Sequence, residues 1–227
     1  MSLQSGEPVD WSGQLLDLTM PLDQALLQRR SMRAFSHTRL DASELNSLLF
    51  YSCGIRVVSR LSDDTNAYHR NVASSGNLGS CETFVIVTNV DRLAAGIYHY
   101  DSLTAGLSCV SSGDYARWLA EFVLFQSELA SAPAIVVLVG AINRLKSKYG
   151  ERGYRLALLD AGHVSQNVYL VAAALGLSAC ATAGFIDEEL DRALNIDGLD
   201  YASLLVLAVG HRIDDRGKAD SNPSFSL

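Results

Sequence analysis

A lysine and a tyrosine stand side by side at positions 148 and 149 of the chain. A lysine amine serves as a base only when its pKa falls from about 10.4 toward neutrality. Burial, or the neighbouring cations Lys146, Arg152 and Arg155, would have that effect. A tyrosine hydroxyl beside it can hold the proton path or orient a ring. Lys148 and Tyr149 therefore suit proton abstraction, although an isolated pair of this kind is usually a surface feature.

A basic group lies near the start of the chain and consists of Arg29, Arg30, Ser31 and Arg33. Forked guanidinium donors beside a hydroxyl are well suited to binding a phosphate. The alternative is a solvated basic helix end, because charge clusters usually lie on surfaces. A further arginine, Arg212, follows the last predicted strand, where it is either a phosphate ligand or a solvated residue.

Two segments are rich in small residues, at positions 74–80 and 181–185. Backbone amides with little side-chain bulk can approach a bound ligand closely, although such segments are often simple turns. The residues of interest are Ser74, Ser75, Gly76 and Asn77 in the first segment and Ala183 and Gly184 in the second.

No metal site is predicted. Asp160 and His163 share one helical face, but no further ligand stands at a suitable spacing, which favours a satisfied core network. Four cysteines without a C-x-x-C pair indicate buried thiols rather than zinc or disulfides, at Cys53, Cys81, Cys109 and Cys180. The common hydrolase, metalloprotease, NTPase and Rossmann motifs are absent from the sequence.

The charge balance argues against polyanionic partners. Eighteen Lys and Arg against 25 Asp and Glu give a formal net charge of −7 and a pI near 5.1. Nucleic acid and anionic membrane surfaces are therefore not expected as partners. The apolar runs 132–142 and 204–209 are shorter than the ~20 residues that a bilayer requires. The N-terminus lacks the pattern of a secretory signal, so we expect a cytoplasmic protein.

The elements that position these residues follow from apolar periodicity. An amphipathic pattern with Asp41 as N-cap predicts a helix over residues 42–53. Residues 56–70 are polar and aperiodic, which predicts a loop, and residues 179–185 are expected to be a connection. The remaining predicted helices cover 22–30, 114–128, 154–175 and 187–194, and the predicted strands cover 83–87, 96–100, 107–110, 134–140 and 204–209.

Helices and strands do not alternate in this order, which indicates an α+β fold. The helix 154–175 is apolar around most of its circumference and should be a long, buried central helix. The length fits one domain over residues 22–213. An N-terminal extension (1–21) precedes it, and a polar C-terminal tail (214–227) follows as a mobile tail or a partner-embracing arm.

Three segments carry a resemblance to a known family: R-R-S-M-R at 29–33, the small-residue segment 74–80, and K-Y-G-E-R-G-Y-R at 148–155. With them, residues 26–212 resemble the SagB-type dehydrogenases, a branch of the FMN-dependent nitroreductase superfamily. That resemblance implies a central, mostly antiparallel sheet flanked by helices. It also implies a homodimer with FMN at the subunit interface.

The resemblance also implies roles for the residues. Arg29, Ser31 and Arg212 would face the ribityl-phosphate tail of FMN, and Arg33 the pyrimidine edge of its ring. Arg30 belongs to the same segment. Residues 74–77 and 183–184 would lie against the flavin. The family usually has P-S-A-G-A-L-Y-P at the first segment, where this chain has Ala73 and Ser80 for the prolines and Gly79 for the tyrosine. These changes would widen or loosen the substrate side.

The activity implied by the resemblance is the oxidation of a thiazoline or oxazoline, or a related C–N or C–C bond, to the aromatic azole. It belongs to peptide natural-product biosynthesis, with O2 as final acceptor and Lys148 and Tyr149 as the catalytic pair. The substrate would be a peptide or carrier-bound, and partner enzymes are expected. Two alternatives stay open: an NAD(P)H-dependent nitro- or quinone reductase, and a non-catalytic scaffold subunit.

Overall fold

A computed structural model of the chain describes residues 6–11, 13–60 and 66–213, and the predicted tail 214–227 lies outside that range. The helices are α1 (Leu22–Gln28), α2 (Ala42–Cys53), α3 (Ala116–Trp118), α4 (Ile142–Tyr149), α5 (Arg152–Ala174) and α6 (Asp187–Ala193). The strands are β1 (Glu7–Val9), β2 (Ile55–Arg60), β3 (Asn66–Arg70), β4 (Cys81–Val87), β5 (Gly96–Asp101), β6 (Gly106–Ser112), β7 (Ala134–Ala141), β8 (Leu177–Thr182) and β9 (Tyr201–His211).

Seven strands form one sheet in the order β1-β6-β5-β4-β7-β9-β8, and every neighbouring pair is antiparallel. The central strand β7 is apolar and buried along all eight residues. Strand β1, from the N-terminal extension, pairs with β6 at one edge. Strands β2 and β3 form a separate antiparallel hairpin. The predicted α+β class with a central antiparallel sheet is confirmed.

The two faces of the sheet carry separate cores. Side chains of a strand alternate between faces, so Val136 and Leu138 of β7 pack on the side of α2 and α5. Ile135, Val137 and Val139 pack on the opposite side, against the segment 119–132 and α6. The sheet is therefore the middle layer between two helical layers.

Helix α2 begins as the sequence predicts. The Asp41 carboxylate accepts a hydrogen bond from the Ser43 amide at 2.7 Å. The Glu44 carboxylate accepts one from the Asp41 amide at 2.9 Å, which completes the capping box. This contact fixes the start of the helix that packs along α5.

Helix α5 is the long central helix, and it lies against α2, α4 and strand β8. One stripe of it faces outward in the single chain. Tyr154, Leu158 and Leu159 are 55%, 44% and 53% exposed. Gly162, on the same stripe, has open space where a side chain would stand. The prediction of burial on several sides therefore holds for the inward faces of α5 but not for this stripe.

The prediction of one helix over 114–128 is wrong. The segment forms α3, then a π-helical turn (Leu119–Val123), then a 3-10 helix (Ser127–Ser131). Leu124 is extended and makes an isolated bridge with Phe185, and the Phe125 amide donates to the Gly184 carbonyl at 3.0 Å. This tertiary contact with the segment after β8 overrides the local helical pattern.

Three further elements differ from the predictions. The predicted loop 56–70 contains the hairpin β2–β3, and most of the predicted connection 179–185 belongs to strand β8. Residues 142–149, which carry the Lys-Tyr pair, form helix α4, which the sequence analysis did not predict. Its buried residues are only Ile142 and Leu145, too few for a clear apolar period in a polar segment.

Candidate active site

The basic segment after α1 lies along the edge of β8. The Met32 amide donates to the Ala179 carbonyl at 3.1 Å, and Ser31 makes a parallel bridge with Ala179. Arg212 lies at the end of β9 and bridges Phe35. As a result Arg29, Arg30 and Arg212, which are far apart in sequence, border one cavity of about 100 Å³.

Tyr169 of α5 organises this cavity. The Ala181 amide donates to the Tyr169 hydroxyl at 2.7 Å, and that hydroxyl lies 3.0 Å from Ser31 Oγ. The Arg29 guanidinium lies over the Tyr169 ring, 5.4 Å from its centroid. The sequence analysis missed this tyrosine, because the apolar pattern of a helix does not show which of its side chains contacts a neighbouring strand.

Arg33 and the second small-residue segment lie at the same end of β8. Burial raises the pKa of the Cys180 thiol, and the charge of the nearby Arg33 opposes that rise. Ala183 is exposed and Gly184 is half-buried. Gly184 lies against Phe125, whose side chain is 70% exposed. The segment is therefore accessible and held in place by the hydrogen bond from Phe125.

The first small-residue segment is held by a buried carboxylate. Asp160 of α5 is 2% exposed, and it accepts hydrogen bonds from Ser74 Oγ at 3.1 Å and Ser80 Oγ at 2.6 Å. Ser75 donates both its amide, at 3.0 Å, and its hydroxyl, at 2.8 Å. The predicted core network of Asp160 and His163 holds for Asp160 but is wrong for His163, and the network that Asp160 does form ties residues 74–80 to the central helix. His163, by contrast, is exposed.

The Lys-Tyr pair meets this loop at Gly76. A methyl group at Gly76 would lie 2.9 Å from Lys148 Nζ and still closer to the Tyr149 hydroxyl. Gly76 also has a φ of +60°, which disfavours any other residue. The Lys148 ammonium lies 5.5 Å from the centroid of the Tyr149 ring. The two predicted catalytic groups thus converge on one backbone position of the loop. Lys148 is exposed, so the burial that the sequence analysis named as one route to a basic lysine is absent in the single chain.

Both groups of residues are fixed to helix α5. Asp160 holds the loop and Tyr169 borders the arginine cavity, and their separation of nine residues corresponds to about 14 Å of helix. The two groups therefore occupy different regions of one chain. The cavity beside Tyr169 brings together arginines that suit an anion, and the loop held by Asp160 lies next to the lysine and the tyrosine.

Among residues 6–11, 13–60 and 66–213, no three His, Cys, Asp or Glu side chains are grouped to hold a metal ion. In the same residues no helix has the length and apolar character to cross a membrane.

We predict that Asp160→Asn lowers the free energy of unfolding by about 2 kcal/mol or more, because hydrogen bonds to a buried charge are lost and serine donors stay unpaired. Chemical denaturation measures the change. Hydrogen exchange should also become faster at the Ser75 amide. Asp23→Asn, at an exposed position of α1, is the matched control and should leave both quantities unchanged. Equal stability of Asp160→Asn and wild type would contradict the assigned role.

Comparison with known proteins identifies the family of the chain. The sequence profile of the nitroreductase family matches residues 26–211. The MJ1384 protein of Methanocaldococcus jannaschii, provisionally named a nitroreductase, is 29% identical over 208 residues, which cover 89% of this chain and 100% of that protein. The microcin B17-processing protein McbC of Escherichia coli is 29% identical over 197 residues, 82% of this chain and 72% of that protein.

A solved structure of the E. coli microcin synthetase McbBCD complex, with truncated pro-MccB17 bound, contains a chain of the same fold. The TM-score is 0.67 at 23% identity, and the match covers 91% of this chain and 77% of that one. With the antiparallel sheet, the long helix α5 and the profile match over most of its length, this chain belongs to the nitroreductase family.

Proposed function

We propose that the protein is an FMN-dependent oxidase that converts a thiazoline or oxazoline ring of a peptide-derived substrate to the aromatic azole. The observation that carries this proposal is the convergence of Lys148 Nζ and the Tyr149 hydroxyl on Gly76. The sequence similarity to McbC, a microcin-processing protein, supports the same reaction class. Membership of the nitroreductase family supports an oxidoreductase in general.

The described residues fit FMN. Arg29, Arg30 and Arg212 border one cavity, and three guanidinium groups suit a phosphate dianion. Ser31 adds a hydroxyl, held by Tyr169. Arg33 would stabilise the negative charge of a reduced ring.

The flavin ring needs backbone that it can approach closely. The loop of residues 74–77, Ser74 and Ser75 included, offers it at the exposed Gly76 and Asn77. Lys148 and Tyr149 fill the side-chain position of Gly76, so the ring would approach the loop beside that contact. Ala183 and Gly184 offer a second accessible stretch of small residues. We assign these segments to the two sides of a flavin ring.

Azole formation removes two hydrogens from neighbouring ring atoms, one as a proton and one as a hydride. When bound, FMN supplies the two-electron acceptor for the hydride and is reoxidised by O2. Lys148 takes the proton, and Tyr149, whose hydroxyl lies beside the same Gly76, orients the substrate ring or relays that proton. The product leaves with two hydrogens fewer, and the lysine returns its proton to solvent.

We also propose a homodimer with the flavin at the subunit interface. The exposed apolar stripe of α5 supports it, because Tyr154, Leu158 and Leu159 would lose water contact against a second copy. Gly162, which has no side chain, would let the helix of a second copy pack closely against α5.

The McbBCD complex, which holds a pro-peptide, supports a peptide substrate and partner enzymes for this chain. We propose residues 22–213 as the family domain, to whose sheet the N-terminal extension adds the edge strand β1, and we propose that the protein is cytoplasmic.

One alternative function has a specific observation in its favour. The M. jannaschii relative, matched over its whole length, is provisionally named a nitroreductase. In that case NAD(P)H would reduce the flavin and Lys148 and Tyr149 would play no part. Flavin bleaching by NADH in stopped flow, at a rate that Lys148→Ala leaves unchanged, would favour this alternative.

We predict that the purified protein is yellow with noncovalent FMN, and that Arg29→Ala with Arg33→Ala releases the flavin because two of its cationic ligands are lost. Absorbance after desalting measures the retained fraction. The matched control is Arg56→Ala with Arg117→Ala, which removes two exposed arginines elsewhere. Full retention by the Arg29/Arg33 double variant would remove the basis for placing the phosphate there.

We predict that Lys148→Ala or Tyr149→Phe lowers turnover by ~10² to 10⁴, the usual effect of losing a general base. The flavin spectrum should stay nearly unchanged, because the arginine cavity is separate. Single-turnover flavin reduction by a thiazoline peptide is the assay. Lys146→Ala is the control, since that lysine of the same helix pairs with Glu151 instead. Reduction at the wild-type rate in both variants would move the base elsewhere.

We predict a dimer by light scattering at micromolar concentration, and a monomer for Leu158→Glu with Leu159→Glu. The two carboxylates would be buried without partners in the proposed interface. Leu199→Glu, at a residue that is 78% exposed and outside α5, should leave the dimer intact. A wild-type monomer would count against a shared flavin site.

A further inference from the structure

A second cavity, of about 220 Å³, lies behind the loop 74–80. Its walls come from the hairpin β2–β3, the loop itself, the start of β4, the turn after β5 and helix α4. The lining residues that matter here are Arg70, Ser74, Gly79, Glu82, Asp101 and Arg144. The cavity has room for one substituent of a substrate rather than for the whole of it.

The acids of this cavity already have partners. Glu82 forms an ion pair with Arg144 at 2.6 Å and lies 3.4 Å from His99. Burial alone would raise the pKa of Glu82, but the hydrogen bonds with His99 and Arg144 outweigh it and lower that pKa. The Asp101 carboxylate accepts from the turn that follows it, and Asp160 accepts from the serines of the loop.

Arg70 is different. Its guanidinium lies over the Tyr68 ring, 5.5 Å from the centroid, and it donates a hydrogen bond to the neutral amide oxygen of Asn77 at 3.3 Å. Within residues 6–11, 13–60 and 66–213 it has no carboxylate within ion-pair distance. Burial and, next, the nearby charge of Arg144 lower the pKa of Arg70, and the charge of Glu82 only partly opposes them.

Gly79 makes room for this guanidinium. A methyl group at Gly79 would lie 2.7 Å from Arg70 Cζ and closer still to one of its terminal nitrogens. Gly79 is also at a φ of +59°. The space that a tyrosine would take at this position of the loop is thus occupied by a cation delivered from the hairpin.

The cavity adjoins the proposed reaction site. Asn77, which binds Arg70, follows Gly76, and Gly76 is the position on which Lys148 and Tyr149 converge. The residue next to the Lys148–Tyr149 contact therefore also contacts Arg70, so a substituent of a substrate held near Lys148 can be directed along Asn77 toward Arg70.

We propose that Arg70 is a specificity-determining residue that binds a carboxylate of the substrate in this cavity, beside the Lys148–Tyr149 pair. The carboxylate is a C-terminal or acidic side-chain group of the peptide, held by the forked guanidinium. Gly79 leaves the space that the Arg70 guanidinium occupies, and Arg144, paired with Glu82, borders the same cavity. This proposal rests on the proposed function, because it names a feature of the substrate of the same site.

The test compares a charged probe with a neutral one, and binding with turnover. The probes are 2-methyl-2-thiazoline-4-carboxylate and its 4-carboxamide, titrated into the purified flavoprotein by calorimetry. We expect the wild type to bind the carboxylate about tenfold more tightly, the effect of one hydrogen-bonded charge. Arg70→Gln should abolish that preference and leave carboxamide binding unchanged. Arg70→Lys should restore part of it, since the charge stays and the fork is lost.

Arg56→Gln removes an exposed arginine of the same hairpin and should keep the full preference. In turnover, Arg70→Gln should raise KM for the carboxylate and leave kcat nearly unchanged. Thermal unfolding and the flavin spectrum verify that each variant is folded. Equal or absent binding of both probes by the wild type, or an unchanged preference in folded Arg70→Gln and Arg70→Lys, would overturn the proposal. Selective carboxylate binding without oxidation would instead refute the azoline oxidase and leave the subsite in place.

Discussion

The buried carboxylate of Asp160 is the interaction on which the site depends. A charge that is 2% exposed is tolerated only when its oxygens are fully hydrogen bonded. Here every donor to it comes from one loop, through Ser74, Ser75 and Ser80. The loop and the Asp160 carboxylate therefore stabilise each other. The loop stabilises the charge on α5, and the charge fixes the loop, including the position of Gly76 against Lys148 and Tyr149.

Helix α5 extends this constraint across the chain. Its buried face rests on α2 and the sheet, so its own position is set by the core. From that fixed axis Asp160 places the loop, and nine residues later Tyr169 places Arg29 and Ser31. One helix thus sets the distance between the arginine-lined cavity and the Lys148–Tyr149 pair, the two parts of the proposed site. In the proposed homodimer, the exposed stripe of the same helix would fix both parts of the site relative to a second copy.

The sequence predicted those parts of the fold that have local signals. The continuous apolar run of β7, the capping box at Asp41 and the long helix α5 were all visible in it. The break at Leu124 was not, because a bridge to Phe185 causes it. Most residues of the proposed site were predicted from the family pattern, yet Tyr169 and Arg70 were not. The part proposed for each depends on the strand, loop or cavity that its side chain contacts. The apolar periodicity of the sequence does not predict such tertiary contacts.

The serines and glycines of the loop 74–80 do more than form a flexible turn. Serine and glycine in a row normally indicate a flexible turn. In this chain the serines act as donors to Asp160, while Gly76 and Gly79 leave room for side chains from α4 and the hairpin. The small residues of the loop 74–80 do not restrict its backbone by themselves. The hydrogen bonds to the Asp160 carboxylate fix the loop in the folded chain. A site of this kind brings reacting groups close to backbone without bulk between them and still holds them to a fixed geometry, which proton transfer requires.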